Sequence, residues 1–218
     1  MKITDLRTVA VRVPVERPTA IATRQLGARE YILAWIDTDD GHTGIGYTYA
    51  GTVGGQAVYD LVKDALRPLL IGKDPLLIEG HWAAMYQEVL LTGRRGAAMR
   101  AISAIDIALW DLLGKIAGLP LYRLLGGITE WLKVAHTAAS FNLPVAPHWH
   151  ANLHVHLVAA AANCLTVEYF VLEQDIYNFE RLVTPETRLR PQDGMLPLPT
   201  TPGIGITFDE PAIQRWQK

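Results

Sequence analysis

The stretch Ala97–Ile116, AAMRAISAIDIALWDLLGKI, is the most regular part of the sequence. Its apolar residues recur at three- and four-residue spacing, which predicts one long helix rich in Ala and Leu. Gly118 and Pro120 follow at once, and residues of these two types commonly end helices. Two segments before it, 55–70 and 76–91, carry the same spacing, so we predict a group of helices here.

The residues before this group predict strands. Apolar and polar residues alternate from Ile3 to Val13, and further strands are predicted at Tyr31–Ile36 and Thr43–Tyr49. The turn signal Asp39–Gly41 favours a hairpin between the last two strands, whereas Thr19–Arg29 is predicted to be a loop. Strands followed by helices predict a compact α+β domain.

Beyond Gly127 the pattern changes to helices that alternate with short apolar runs. This alternation is typical of a parallel α/β sheet or barrel. The predicted elements are, in order, Ile128–Ser140, Leu143–Ala146, Asn152–Ala162 and Leu165–Phe170. From Thr184 onward we predict little regular structure until Pro211–Gln217. We therefore predict two domains, at residues 1–120 and 121–218.

Composition excludes several classes of protein. Of the 218 residues, 50% are hydrophobic and 19% are charged, which excludes a disordered chain. The formal net charge of −2 gives no support to a nucleic-acid-binding or membrane-surface protein. The single cysteine, Cys164, cannot form an internal disulfide, and we find neither a signal peptide nor an apolar run of about 18 residues. We therefore expect a cytoplasmic protein without nucleic-acid or membrane partners.

Two overlapping segments resemble the mandelate racemase subgroup of the enolase superfamily, in the mandelate racemase / muconate lactonizing enzyme family. Arg100–Gly127, RAISAIDIALWDLLGKIAGLPLYRLLGG, resembles the last helix of that family's N-terminal capping domain and its exit into the barrel. Gly126–His148, GGITEWLKVAHTAASFNLPVAPH, resembles the family's sixth barrel helix and seventh barrel strand. Pro202–Gly205 resembles the return of the C-terminus to the cap.

The resemblance implies a fold and a chemistry. The expected fold is an α+β capping domain, a three-stranded meander plus helices, followed by an incomplete TIM-type α/β barrel remnant of about two β/α units. In the intact family, Mg²⁺ at the barrel mouth binds the carboxylate of a small substrate such as a sugar acid. A base then removes the proton on the adjacent carbon, and the metal stabilises the developing charge. We also expect a homo-oligomer.

Four residues match positions of the family's site. His148 matches the base at the end of the seventh strand, and Glu168 matches the acid that donates a hydrogen bond to the substrate carboxylate. Two cap loops would contribute substrate-binding residues, with Arg24 as an anion contact and Tyr49 as a pocket wall. No metal ligands are assigned.

The chain is too short for a whole barrel. A (β/α)₈ barrel takes about 250 residues, whereas 91 residues follow Gly127. The missing region holds the family's Lys-x-Lys pair, its three metal-binding acids and the Asp that partners the His. No Lys-x-Lys occurs in the chain, and no Asp or Glu lies between Glu130 and Glu168. We therefore expect that this chain does not bind Mg²⁺.

Three functions stay open at this point. We favour an acid-sugar (aldonate or aldarate) dehydratase, because a base at His148 can also act as the acid that expels a β-hydroxyl as water. A polar cap loop around Arg24 suits a polyhydroxylated acid. An α-hydroxyacid racemase is one alternative, and a non-catalytic truncated remnant that is stable only as an oligomer is the other.

Two further groups of polar residues have simpler interpretations. His150, His154 and His156 lie in HWHANLHVH, where packing is a better explanation than a metal site. Asp106 and Asp111 flank Trp110 on the long predicted helix. A structural role between cap and barrel is favoured for this pair over acid–base work.

Overall fold

The computed structural model describes residues 1–21, 23–93, 95–124 and 129–218, apart from the side chains of residues 18, 19, 21, 24, 129 and 130. Three strands form an antiparallel meander in the order β1 (Ile3–Ile21), β2 (Arg24–Thr38) and β3 (Thr43–Gly51). This is the three-stranded sheet that the sequence predicts.

The first hairpin is longer than predicted. Most of the described backbone within the predicted loop Thr19–Arg29 is paired, with Thr19 opposite Leu26 and Ile21 opposite Arg24, so the loop prediction is wrong. The pairing is irregular between Ile3 and Asp5 and again between Pro14 and Thr19. Proline has no N–H to donate to a strand ladder, so the prolines interrupt the hairpin without ending it.

Helices follow the sheet, as predicted. They are α1 (Gly55–Asp60), a π-helical turn (Leu61–Leu66), α2 (Arg67–Leu70), α3 (Ile78–Glu88), α4 (Ala97–Ala117), α5 (Thr129–Ser140), α6 (Ala151–Ala160) and α7 (Glu210–Trp216). Short 3₁₀ turns lie at Leu121–Arg123, Leu172–Gln174, Phe179–Leu182 and Pro185–Thr187. The predicted start of α5, Ile128, lies outside the described residues.

The long helix α4 packs directly on the backbone of β3. A Cβ atom added at Gly44 would lie 2.2 Å from the carbonyl oxygen of Ala108, and one at Gly46 would lie 2.1 Å from that of Ala104. Both alanines are fully buried. Small residues on the helix and glycines on the strand therefore allow an approach that larger side chains would prevent.

The sheet buries both of its faces. One face carries Leu6, Ile32 and Ile36 into a core with α1 to α4. The other carries Tyr31 and Tyr47 into a second core that the C-terminal half of the chain completes; its other members include Val11, Val13, Leu33, Leu153, Tyr177, Phe179, Leu182, Ile204 and Phe208. The second face holds the elements on which the candidate site is built.

The two strands predicted in the C-terminal half do not form. In the described residues, Val145 of Leu143–Ala146 forms one isolated parallel bridge with Cys164, the residue before Leu165–Phe170. An isolated pair of short parallel strands gains few hydrogen bonds and leaves both edges open, so it does not extend. The described sheet is thus that of a cap, whereas the barrel remnant and the boundary at 120/121 remain predictions.

No helix among the described residues combines the length and the apolar character that crossing a membrane requires.

Asp111 connects three parts of the chain. Its carboxylate accepts hydrogen bonds from the backbone N–H of Ile45 (2.7 Å) and of Ile204 (2.8 Å), and Lys115 Nζ lies 2.7 Å away. The Asp111 side chain is 1% exposed, and this burial raises the pKa of its carboxyl, while Lys115 and the two N–H groups act against the increase. Asp111 therefore has the structural role that the sequence favoured.

Replacing Asp111 with Asn is expected to lower the free energy of unfolding by about 3 kcal/mol. An amide offers one acceptor oxygen in place of two, so one buried backbone N–H would face another donor. Urea-induced unfolding measures the effect, with the exposed Asp60→Asn on α1 as a control that changes stability by less than about 0.5 kcal/mol. Equal unfolding midpoints for Asp111→Asn and the wild-type chain would contradict the role of this connection.

Candidate functional site

A cavity formed by described residues lies where β2 begins and β3 ends. Its volume is about 1130 Å³, which is sufficient for a small organic acid. The lining comes from the ends of β2 and β3, the start of α4 and two turns of the C-terminal half. The lining residues used below are Arg29, Tyr49, Arg100, His148, Trp149 and His150.

His148 and Glu168 form a close pair at this cavity. His148 Nδ1 lies 2.5 Å from Glu168 Oε2, and the same oxygen accepts a hydrogen bond from the Trp149 backbone N–H at 2.9 Å. The side chains are 74% and 39% exposed, respectively. A carboxylate that accepts from Nδ1–H leaves the lone pair of the imidazole on Nε2.

Backbone strain between His148 and α6 accompanies this pair. Trp149 has a φ of 93°, a conformation that costs an L-residue roughly 1–3 kcal/mol. Its indole ring packs near Tyr49, Phe170 and Tyr177, with centroid separations of 5.7, 5.1 and 5.4 Å. The aromatic contacts and the bond to Glu168 hold the strained turn, so the orientation of His148 is set by its surroundings.

Two arginines of the cap contact one aromatic ring in the cavity. The guanidinium carbon of Arg29 lies 5.7 Å from the centroid of Tyr49, and that of Arg100 lies 5.5 Å from it. Arg29 also donates to the Tyr49 hydroxyl at 3.2 Å, and Arg100 donates to the Tyr49 carbonyl. Neither arginine was predicted as a site residue from the sequence. The charge of Arg29 beside a strand of apolar residues could have indicated a functional position.

The structure places the four predicted site residues differently relative to the cavity. His148 and Tyr49 line the cavity, and Glu168 lies beside it. The side chain of Arg24 lies outside the described residues. Glu168 was predicted as a hydrogen-bond donor to a substrate carboxylate, and this role stays a prediction; here its Oε2 accepts a hydrogen bond from the Trp149 backbone N–H and lies 2.5 Å from His148 Nδ1.

The other histidines of this region are structural. His150 Nδ1 lies 3.0 Å from the Tyr177 hydroxyl, and His156 Nε2 lies 3.0 Å from the Ile204 carbonyl. Burial lowers the pKa of His150 to about 3 and that of His154 to about 4, so both rings are neutral at pH 7. These contacts agree with the packing interpretation.

The described residues do not fit a bound Mg²⁺. No group of three or more His, Cys, Asp or Glu side chains comes together among them in a way that would hold a metal ion. Mg²⁺ prefers carboxylate oxygens in octahedral geometry. The one carboxylate placed beside the cavity residues above, Glu168, is engaged by His148 and Trp149.

Models of known protein families match nearly the whole chain. The model described as "Mandelate racemase / muconate lactonizing enzyme, N-terminal domain" matches residues 3–126. The model described as "Enolase C-terminal domain-like" matches residues 122–212.

Individual proteins are similar over shorter parts. The chain is 42% identical over 147 residues to 3,6-anhydro-alpha-L-galactonate cycloisomerase of Streptomyces coelicolor, covering 66% of this chain and 40% of that protein. It is 44% identical over 98 residues to arabinonate dehydratase of Saccharolobus solfataricus, covering 45% of this chain and 26% of that protein. The chain thus spans less than half the length of these relatives.

A solved structure shares the fold. L-talarate dehydratase from Polaromonas sp. JS666, complexed with Mg and L-glucarate, superposes with a TM-score of 0.88 at 20% identity. The comparison covers 100% of this chain and 97% of that chain. At this level of identity the likeness describes the fold alone.

The buried histidines predict how stability changes with pH. The pKa of a histidine is about 6.5 in the unfolded chain, whereas that of His154 is about 4 in the folded chain. Below pH 6.5 the unfolded state therefore binds more protons at this residue than the folded state does. The stability that depends on a neutral His154 is present in full above pH 6.5 and is lost as the pH falls towards 4. Glu180 acts in the opposite direction, because burial raises its pKa to about 7.

We expect the wild-type chain to lose about 2 kcal/mol more stability between pH 7 and pH 5 than the variant His154→Gln. Both proteins contain Glu180, so its contribution drops out when the stability change of one protein is subtracted from that of the other. Urea unfolding at the two pH values measures it, with the exposed His136→Gln as the control that keeps the wild-type dependence. An identical pH dependence for His154→Gln and wild type would contradict a neutral, buried His154.

Proposed function

Because this chain belongs to the mandelate racemase / muconate lactonizing enzyme family, we propose that its cavity binds a sugar acid and that His148 moves the proton next to the carboxylate of that acid. The observation that carries this proposal is the 2.5 Å contact of His148 with Glu168 at the cavity. The related proteins include acid-sugar dehydratases and cycloisomerases. We extend the dehydratase reaction to this chain.

His148 acts through Nε2 in this proposal. Because Glu168 Oε2 lies 2.5 Å from Nδ1, we assign the ring proton to Nδ1, which leaves Nε2 as the base. Nε2 takes the proton from C2, the C3–O bond breaks, and the proton leaves with the β-hydroxyl as water. The remaining enol rearranges to a 2-keto-3-deoxy acid, so the overall change is the loss of one water molecule.

The rate depends on the positive charge that faces the substrate. Removing a proton next to a carboxylate places a second negative charge on the acid, and fixed cations must stabilise it. Mg is present in the structure of the talarate dehydratase, but the described residues of this chain do not fit the ion. Among the described residues no metal-holding group supplies that charge at the reacting carboxylate, and we propose that proton exchange is slow.

Binding without turnover is the second candidate function. It is favoured by the chain's 40% coverage of the cycloisomerase and by the lack of a metal-holding group among the described residues. A remnant of this kind would bind sugar acids in the same cavity but leave the proton on C2 in place. The two candidates differ in one measurable step.

We expect the wild-type chain to exchange the C2 proton of galactonate for deuterium in D₂O, and the variant His148→Asn to do so at least about 100-fold more slowly. Loss of the C2–H signal in proton NMR measures the rate, and a 2-keto-3-deoxy product distinguishes dehydration from racemisation. The exposed His136→Asn is the matched control and keeps the wild-type rate.

The outcomes separate the two candidates. Exchange that persists in His148→Asn would contradict the role of His148. Calorimetric binding of galactonate without exchange in the wild-type chain would favour the remnant. If no sugar acid binds, both candidates fail.

We also propose that the chain is a homo-oligomer. Phe141, Leu143 and Leu165 are exposed by 72, 56 and 71% beside the Val145–Cys164 bridge, and apolar groups of this kind often mark contact surfaces. Light scattering is expected to give a mass of at least twice 24.1 kDa, and Leu165→Glu is expected to lower it. The matched control is Leu91→Glu, since Leu91 is exposed elsewhere. A monomeric wild-type chain would contradict the proposal.

A further inference from the structure

The cavity contains a buried positive charge that its described neighbours do not neutralise. Arg29 is 4% exposed, and its Nε makes no hydrogen bond among the described residues. Burying a charged group is costly unless an opposite charge or several hydrogen bonds compensate for it. An arrangement of this kind is typical of a site that binds an anion.

Arg100 adds a second positive charge at the same place. Both guanidiniums lie within 6 Å of the centroid of Tyr49, as described above, so the two charges contact the same ring. Among the described residues, neither arginine has an Asp or Glu within ion-pairing distance, and none of the residues lining the cavity is acidic. Arg100 also contributes to the low pKa of His150, after burial and His154, which places its charge in the cavity wall.

The arginine pair and the proposed base share a neighbour. The guanidinium carbon of Arg29 lies 4.9 Å from the centroid of Trp149, and the His148 ring lies 5.7 Å from the same indole. One wall of the cavity therefore carries two different groups, a cationic pair and a proton-transferring imidazole. A ligand that spans this wall meets both groups.

We propose that Arg29 and Arg100 bind a second carboxylate, so that the preferred ligand is a dicarboxylic sugar acid. One carboxylate lies against the two guanidiniums beside Tyr49, and the carbon next to the other carboxylate lies at His148. Arginine suits this task because its planar guanidinium donates two parallel hydrogen bonds to a carboxylate. The inference rests on the proposed function, since it assumes that the cavity binds sugar acids.

Two probes that differ in one group test the inference. Galactarate carries a carboxylate at C6, where galactonate carries a hydroxymethyl group. We expect the wild-type chain to bind galactarate at least about 10-fold more tightly than galactonate, as measured by titration calorimetry at one ionic strength. The affinity ratio of the wild-type chain is itself decisive, so the test does not depend on the folding of any variant.

Variants assign the preference to the two arginines. Arg29→Met and Arg100→Met keep an apolar stem and are expected to reduce the ratio to about 3-fold or less. Arg7→Met is the matched control, because Arg7 is 52% exposed on β1 and pairs with Asp37. It is expected to keep the wild-type ratio.

Each result has a distinct meaning. Equal affinities for the two acids would overturn this inference and leave the proposed function standing. A wild-type preference that survives in both Arg29→Met and Arg100→Met would overturn the assignment to this pair. If neither acid binds, the proposed function fails, and this inference fails with it.

Discussion

The buried carboxylate of Asp111 connects the cap sheet, the long helix and the C-terminal segment. Its partners Ile45 and Ile204 are 66 and 93 residues away in the sequence, and Lys115 lies one turn along the same helix. Gly203 has to be a glycine here, because a Cβ at that position would lie 2.0 Å from Asp111 Oδ1. These contacts fix the position of the segment around Ile204 against α4. The second core forms on the face of the sheet that the C-terminal half covers.

Aromatic residues of that second core pack against the residues of the candidate site. The Tyr47 ring stacks on Phe179 with centroids 3.9 Å apart, and Tyr177 contacts both Trp149 and His150. Of these rings, Tyr47 comes from the cap, and the other four come from the C-terminal half. A rigid aromatic layer of this kind holds the strained Trp149 in place, so that His148 is oriented without being buried.

The site is therefore largely a product of the cap. Arg29, Tyr49 and Arg100 come from β2, β3 and α4, whereas the C-terminal half contributes mainly the turn around His148. The chain spans 40% of the length of a related cycloisomerase, and the described sheet has three strands. Arg29 and Arg100 both belong to the cap and both contact Tyr49, so no barrel strand is required to position their guanidiniums. The positive charge beside Tyr49 thus comes from two arginines of the cap.

The sequence by itself determined the helices, the meander and the family, because hydrophobic period, turn residues and motifs are local signals. By resemblance it also predicted His148, Glu168 and Tyr49 as site residues, and these roles remain predictions. The tertiary structure decided the rest. The strands predicted at Leu143–Ala146 and Leu165–Phe170 did not form, since a parallel strand depends on partners that the pattern of its own residues does not supply. The pairing of Arg29 with Arg100 around Tyr49 was equally invisible, because residues 71 positions apart become neighbours only when α4 packs on β3.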